Sequence, residues 1–308
     1  MEIISGQEQF HTDGKTAVAI GKFDGMHLGH QFLIRALITG AAEQAQGALK
    51  TVVFTFDPSP HVFFSGKKEA EIFTKQEKRA AFRALGVDLL IEFPMNDRTA
   101  QTPPERFVED ILCDGLHAGF VIAGGDLSFG YRGRGDFALL ESYAKEKGFL
   151  TKRIDKVLYK DEPVSSSRIR GAIRAGDMEE ANRMLGTPFS LEGEVLHGRH
   201  LGHTLGFPTI NCLPPAEKLL PPFGVYLSRA HTPEGTYDGI TNIGVKPTVG
   251  AFKRAGAETY LYDFDGDLYG KRVTIELLSY RRAERKFDSV DALKEQLSRD
   301  IADGRRRK

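Results

Sequence analysis

Short apolar runs recur through the first half of the chain. Residues 17–20, 52–56, 89–91 and 120–123 are continuous hydrophobic stretches of strand length, as expected of parallel strands buried on both faces. Between them the period lengthens to that of helices, over about 31–46, over 75–85 with Gly86 as the stop, from Thr102 with Pro103 and Pro104, and over 137–147 with Gly148 as the stop. The alternation predicts a doubly wound, Rossmann-like α/β domain. Two shorter helices, near 166–174 and 178–185, precede Gly186-Thr187-Pro188, and this break sets the expected domains at 1–186 and 187–308. Beyond Phe189 the pattern changes to short alternating segments near 191–196, 224–230, 237–243, 258–263 and 272–278. Pro214-Pro215, Pro221-Pro222, Pro233-Glu234-Gly235 and Asp265-Gly266-Asp267 punctuate them. A small antiparallel β-barrel is expected. A terminal helix over 290–302 should dock on it through Leu293, Leu297 and Ile301.

Composition narrows the classes. A length of 308 residues suits two cores, and 41% hydrophobic with 27% charged residues describes a globular chain. Lys+Arg and Asp+Glu both number 42, so no global field draws in nucleic acid or an anionic membrane, and neither is expected as a partner. Cys113 and Cys212 form neither a disulfide framework nor a CxxC pair, which fits a reducing cytoplasm. The first ten residues have no apolar core and no run approaches the roughly 18 apolar residues of a membrane span. Secretion and membrane insertion are therefore not expected. The closing Arg305-Arg306-Arg307-Lys308 reads as a solvated tail.

Candidate chemistry begins where the first strand ends. Gly21-Lys22-Phe23-Asp24-Gly25-Met26-His27-Leu28-Gly29-His30 opens the first helix, at the strand-to-helix turn where open α/β sheets bind ligands. Free N–H groups and the helix dipole favour phosphate there, and the glycines allow close approach. His27 and His30, three apart, can face one phosphate. In nucleotidyl transfer, two such N–H donors stabilise charge growing around the α-phosphorus without a covalent intermediate. A helix cap is the plainer reading of the same histidines. The glycine-rich stretch 124–136, with Asp126, Arg132 and Arg134, follows another strand and should line the same crevice. Ser165-Ser166-Ser167-Arg168-Ile169-Arg170 offers capping hydroxyls and guanidinium groups, which alone reads as a cap and with the first motif reads as a second phosphate clamp.

The combination resembles the HxGH nucleotidyltransferases, and within them the bacterial bifunctional riboflavin kinase and FAD synthetase family, over nearly the whole chain. The resemblance implies that Gly21, Phe23, Asp24, Gly25, Ser165, Ser166, Ser167, Arg168 and Arg170 bind nucleotide, with Arg170 on the β- and γ-phosphates, while His27 and His30 are catalytic. It implies a flavin-side loop at Phe54-Thr55-Phe56-Asp57-Pro58-Ser59-Pro60, so that Pro58, together with Asp126, contacts flavin. Ser59 replaces a common His and Leu127 a common Phe.

In the second half, Gly198-Arg199-His200-Leu201-Gly202-His203-Thr204-Leu205-Gly206 leads to Phe207-Pro208-Thr209-Ile210-Asn211. A hydroxyl and an amide oxygen are hard ligands suited to Mg²⁺ on nucleotide phosphates. The resemblance implies that Gly202, Thr209 and Asn211 form the kinase nucleotide site, with Thr209 and Asn211 on the metal. Asn242-Ile243-Gly244-Val245-Lys246-Pro247-Thr248 belongs to the same pattern, in which Glu258 is the general base that takes the ribityl hydroxyl proton. His203 stands where Arg is usual, which weakens any phosphate contact that Arg made, and Ile210 where Ala is.

Other motifs dissolve on inspection. Gly14-Lys15-Thr16 precedes a strand and lacks the first P-loop glycine. His197, His200, His203 and Cys212 match no standard zinc spacing. Asp263, Asp265 and Asp267 lack the glycine and glutamate of a calcium loop, and a hairpin turn is the simpler expectation. The implied function is phosphorylation of riboflavin to FMN and adenylylation of FMN to FAD with release of pyrophosphate, using ATP and Mg²⁺. Expected partners are small molecules (ATP, riboflavin and FMN), with transient delivery of flavin to apoflavoproteins. Two alternatives stand: an HxGH transferase for another phosphorylated acceptor, and a catalytically inactive flavin-binding regulator.

Overall fold

A computed structural model describes residues 1–44, 47, 49–196, 207–247 and 253–305. Two compact units divide it, Met1–Ser165 and Ser166–Lys308. The first is built on a six-stranded, all-parallel sheet of order β1-β4-β3-β2-β5-β6. Its strands are β1 (Glu2–Ser5), β2 (Thr16–Ile20), β3 (Lys50–Asp57), β4 (Leu89–Pro94), β5 (Ala118–Gly124) and β6 (Leu150–Ile154). β2 is buried throughout, and its period-two alternation divides it between two cores. Ala17 and Ala19 face Leu33, Ile34 and Leu37 of α1 (Leu28–Ala42) and Phe82 of α3 (Lys75–Leu85). Val18 and Ile20 face Phe107, Val108 and Leu112, with Leu140 of α4 (Phe137–Lys147). A strand with a core on each side has no polar face, hence the continuous apolar runs.

Local chemistry sets the helix ends. Thr74 and Glu77 close a capping box at the start of α3, and Gly86 and Gly148 end α3 and α4 in left-handed conformations. The helix expected from Thr102 begins at Pro104 and becomes a π-helix over Phe107–Gly115. α2 (Pro60–Ser65) and a small hairpin of β7 (Leu158–Tyr159) and β8 (Glu162–Pro163) complete this unit.

The second unit opens with α5 (Ser166–Ala175) and α6 (Met178–Leu185), upstream of the break at Gly186. Asn182 on α6 ties them to the barrel: its Nδ2 donates to Leu277 O at 2.9 Å and its Oδ1 accepts from Phe189 N at 2.7 Å. The barrel is closed, in the order β10-β13-β12-β11-β14-β9. Its strands are β9 (Phe189–Leu196), β10 (Thr209–Cys212), β11 (Gly224–Thr232), β12 (Gly235–Pro247), β13 (Lys253–Leu261) and β14 (Arg272–Ala283). α7 (Val290–Arg305) docks on it, with Ile301 against Val225, Ile240 and Tyr262. The expectation of a hairpin at Asp263–Asp267 is corrected. β13 pairs with β10 and β12, and β14 with β11 and β9, so this segment joins strands that are not neighbours.

Candidate active sites

β2 and β5 lie side by side, with Ile20 opposite Ala123, and sequential connections leave them toward opposite edges of the sheet. That is a topological switch point, where a crevice opens beyond the strand ends. The loops following these strands carry Gly21 to His27 and Gly124 to Asp126, so both expected motifs leave the sheet at this switch point. Phe23, Gly25 and Met26 take positive φ values of 49°, 80° and 40°. Phe23 and Met26 are buried, and Phe23 meets Phe82 edge-on at 5.3 Å. Aromatic packing thus offsets a backbone that non-glycine residues rarely adopt.

The strained turn delivers His27 to the N-cap of α1, where its Nδ1 accepts from His30 N at 3.3 Å. The capping reading is therefore realised, and it has a chemical consequence. With Nδ1 accepting, the proton of a neutral His27 sits on Nε2, as a donor. The His27 and His30 rings stack at 3.6 Å, inclined by 17°. A Cβ on Gly29 would sit 3.2 Å from His27 Cε1, so a glycine there leaves space for the ring. Burial pushes the His27 pKa down to about 4, opposed by the charges of Asp24 and Asp126. His30 is held well below its ordinary value by desolvation and then by His27. Both imidazoles are neutral near pH 7. His30 Nδ1 is buried with no hydrogen-bond partner among the described residues, and the first turn of α1 carries no acidic side chain. Neutral imidazole donors at a helix N-terminus whose first turn holds no acidic residue suit a phosphate, and Asp24 and Asp126 are the negative charges nearby.

On the expected flavin side, β3 ends at Asp57 and the Asp57–Pro58 peptide is cis. Pro58 is exposed. Ser59 caps α2 by accepting from Val62 N at 3.4 Å, a local use for the serine at this position. Asp126 pairs with Lys156 at 3.1 Å. Ser165 closes the first unit, whereas Ser166, Ser167, Arg168 and Arg170 open α5 in the second. Arg168 pairs with Glu180 at 3.2 Å and Arg170 is buried.

In the barrel, Glu258 on β13 lies opposite Asn211 of β10 on one side and Asn242 of β12 on the other. Cross-strand neighbours share a face, and Thr209, two residues before Asn211, joins them. The Thr209 hydroxyl donates to Glu258 Oε1 at 2.9 Å. Thr209, Asn242 and Glu258 line a cavity of about 540 Å³, whose apolar walls include Ile240, Tyr260, Leu293 and Leu297. The size is that of a pocket for a small ligand. Gly202, with the loop around it and His197, His200 and His203, lies outside the described residues, as does Thr248.

A family model described as FAD synthetase matches residues 9–168, and one described as riboflavin kinase matches residues 185–307. A bifunctional riboflavin kinase/FMN adenylyltransferase from Listeria monocytogenes is 36% identical over 298 residues, covering 96% of this chain and 93% of that one. Its counterpart from Pseudomonas fluorescens is 34% identical over 306 residues, covering 99% and 97%. The chain belongs to the bifunctional riboflavin kinase/FMN adenylyltransferase family. A crystal structure described as a macrolide-efflux protein from Streptococcus pneumoniae also aligns, with a TM-score of 0.86, 30% identity, and coverage of 97% of this chain and 96% of that one. No helix among the described residues is long and apolar enough to cross a membrane.

Within the riboflavin kinase unit the structure adds residues that pattern reading did not single out. Arg282 and Glu284 line the cavity beside Glu258, and Asn242 Nδ2 donates to Glu284 Oε1 at 3.0 Å. Arginines and glutamates at a strand end look like ordinary surface positions, and only closure of the barrel reveals where they point. Within the FAD synthetase unit, Ile72 carries no local signal of its position either. It is fully buried, and its Cγ2 lies 3.0 Å from the position of a Cβ on Gly25, beneath the histidine loop.

Proposed function

We propose that the barrel unit phosphorylates riboflavin to FMN with ATP, and that the α/β unit adenylylates FMN to FAD with release of pyrophosphate. The observation that carries the reading is the pairing of two separate constellations with two family matches. Stacked, neutral His27 and His30 stand at a helix N-terminus in one unit. Glu258, bonded to Thr209, lines a ligand-sized cavity in the other.

In the first reaction the apolar cavity walls hold the flavin ring, and the ribityl chain runs toward Glu258. The carboxylate takes the proton of the terminal hydroxyl as its oxygen attacks the γ-phosphorus of ATP and ADP leaves. Thr209 keeps Glu258 oriented through the bond it donates. That donation leaves the Thr209 oxygen lone pairs free, so Thr209 and Asn211 offer the hard oxygen donors that Mg²⁺ takes. Bound there, the ion would neutralise phosphate charge in the transfer.

In the second reaction an FMN phosphate oxygen attacks the α-phosphorus of ATP and pyrophosphate departs. The His27 Nε2 proton, fixed by the cap, and His30 donate to oxygens around the α-phosphorus, where charge grows in the transition state. Gly21, Phe23, Asp24 and Gly25 shape the loop that receives the nucleotide. Pro58 and Asp126 contact the flavin side. On sequence grounds, Ser165, Ser166, Ser167, Arg168 and Arg170 act as a phosphate clamp, and the helix N-terminus at α5 suits that role. The products serve apoflavoproteins, and handover of FAD or FMN to them belongs to the same reading, as does a cytoplasmic setting.

Isotopic labelling separates the two transfers. With riboflavin as acceptor, label from the γ-phosphate of ATP should appear in FMN, and label from the α-phosphate only in FAD. An FMN that carries α-label, or flavins that carry none, would overturn the assignment. A transferase for another phosphorylated acceptor would leave riboflavin unchanged, and an inactive flavin-binding regulator would bind it without turnover.

A further inference from the structure

Among the described residues, the side-chain hydrogen bonds that tie the terminal helix α7 to the rest of its unit begin at Gln296, which accepts from Arg285, and continue toward the C-terminal end. Asp300 accepts from Arg282 on β14 through both carboxylate oxygens, at 3.1, 3.2 and 2.6 Å, and also from Gln296 at 2.7 Å. Arg282 and Asp300 are largely buried, with 22% and 10% of their side chains exposed. The next residue, Ile301, enters the apolar cluster under the helix, and Arg305, just over a turn on, pairs with Asp263 at 2.7 Å. A Cβ on Gly304 would sit 2.1 Å from Tyr262 Oη, a separation only glycine permits. The opposite end is looser: Val290 is 59% exposed, and Leu293 and Leu297 are half-buried where they line the cavity.

We propose that the Arg282–Asp300 pair is a positioning latch that sets Leu293 and Leu297 as the movable apolar wall against the flavin ring. The inference rests on the reading of this cavity as the riboflavin site. A planar guanidinium gripping both carboxylate oxygens fixes orientation as well as distance. Arg282 and Asp300 line the same cavity, and loosening the pair lets the wall swing away from the ring while the Thr209–Glu258 bond stays in place. Ground-state contact with riboflavin is lost, whereas the phosphoryl-transfer machinery is kept.

The test is steady-state kinetics of riboflavin phosphorylation by the full chain and its D300N and R282D/D300R variants. D300N should raise KM for riboflavin about tenfold, the loss of one modest contact energy. kcat and KM for ATP should stay within about twofold. The charge-swapped double variant should bring KM for riboflavin back toward wild type, a rescue that mere damage to the fold would not allow. Adenylylation of supplied FMN serves as the internal control and should be unchanged. A wild-type riboflavin KM in D300N, or a KM that the swap leaves raised, overturns the latch. A wild-type chain that fails to phosphorylate riboflavin overturns instead the reading of the cavity.

Discussion

Replacing His27 with Asn should make the first unit less sensitive to acid. In the folded chain burial brings the His27 pKa from 6.5 to about 4. As pH falls below 6.5 the unfolded chain therefore takes up a proton that the folded chain refuses until about pH 4, so stability is lost across that window and is flat beyond it. At 1.36 kcal/mol per pH unit the full window is worth about 3 kcal/mol, and the fall from pH 7.5 to 5 about 2 kcal/mol. Asn cannot titrate. Other groups titrate alike in both proteins, and losing a neighbouring imidazole eases the shift on His30 in the same direction. Native-state hydrogen exchange of the β2 and β5 amides reads the opening free energy of this unit by itself. Between pH 7.5 and 5, the wild-type opening free energy should drop by roughly 2 kcal/mol more than that of His27→Asn. Equal losses in the two proteins would refute the desolvated, neutral imidazole and with it the donor role assigned to it.

Three further outcomes are expected. Glu258→Gln should lower kcat for riboflavin phosphorylation by about 10²–10⁴, the usual contribution of a general base. Calorimetry should find riboflavin affinity close to wild type in that variant. Gly25→Ala forces a side chain into φ 80° and against Ile72; the cost should be about 1–3 kcal/mol in the hydrogen exchange of the first unit, with FAD formation reduced and FMN formation kept. Chelation with EDTA should halt both transfers and added Mg²⁺ restore them, measured as flavin products over time.

The residue pattern carried the central strands because a strand covered on both faces must be apolar throughout, as β2 is. Edge elements escaped it. β1 has four residues, and β6 is largely exposed with Lys152 and Arg153 in it, so neither shows an apolar run. β10 was hidden between Pro208 and Pro214-Pro215, and it became legible only through its register with Glu258. The connection from β13 to β14 misled because neighbours in sequence usually pair, whereas here β10 takes the second edge of β13. The site residues divide in the same way. His27 and His30 announce themselves by spacing at a strand-to-helix turn. Arg282, Glu284 and Ile72 matter through distant contacts that no local spacing encodes.

In the proposed mechanism two independent sites act in turn on one flavin. Chromatography of the flavins after incubation with riboflavin, ATP and Mg²⁺ tests it most directly, with His27→Ala and Glu258→Ala compared beside the wild type. The wild type should yield FMN then FAD, His27→Ala should yield FMN alone, and Glu258→Ala should make no FMN yet fully convert supplied FMN to FAD. Loss of both products from either variant would contradict it.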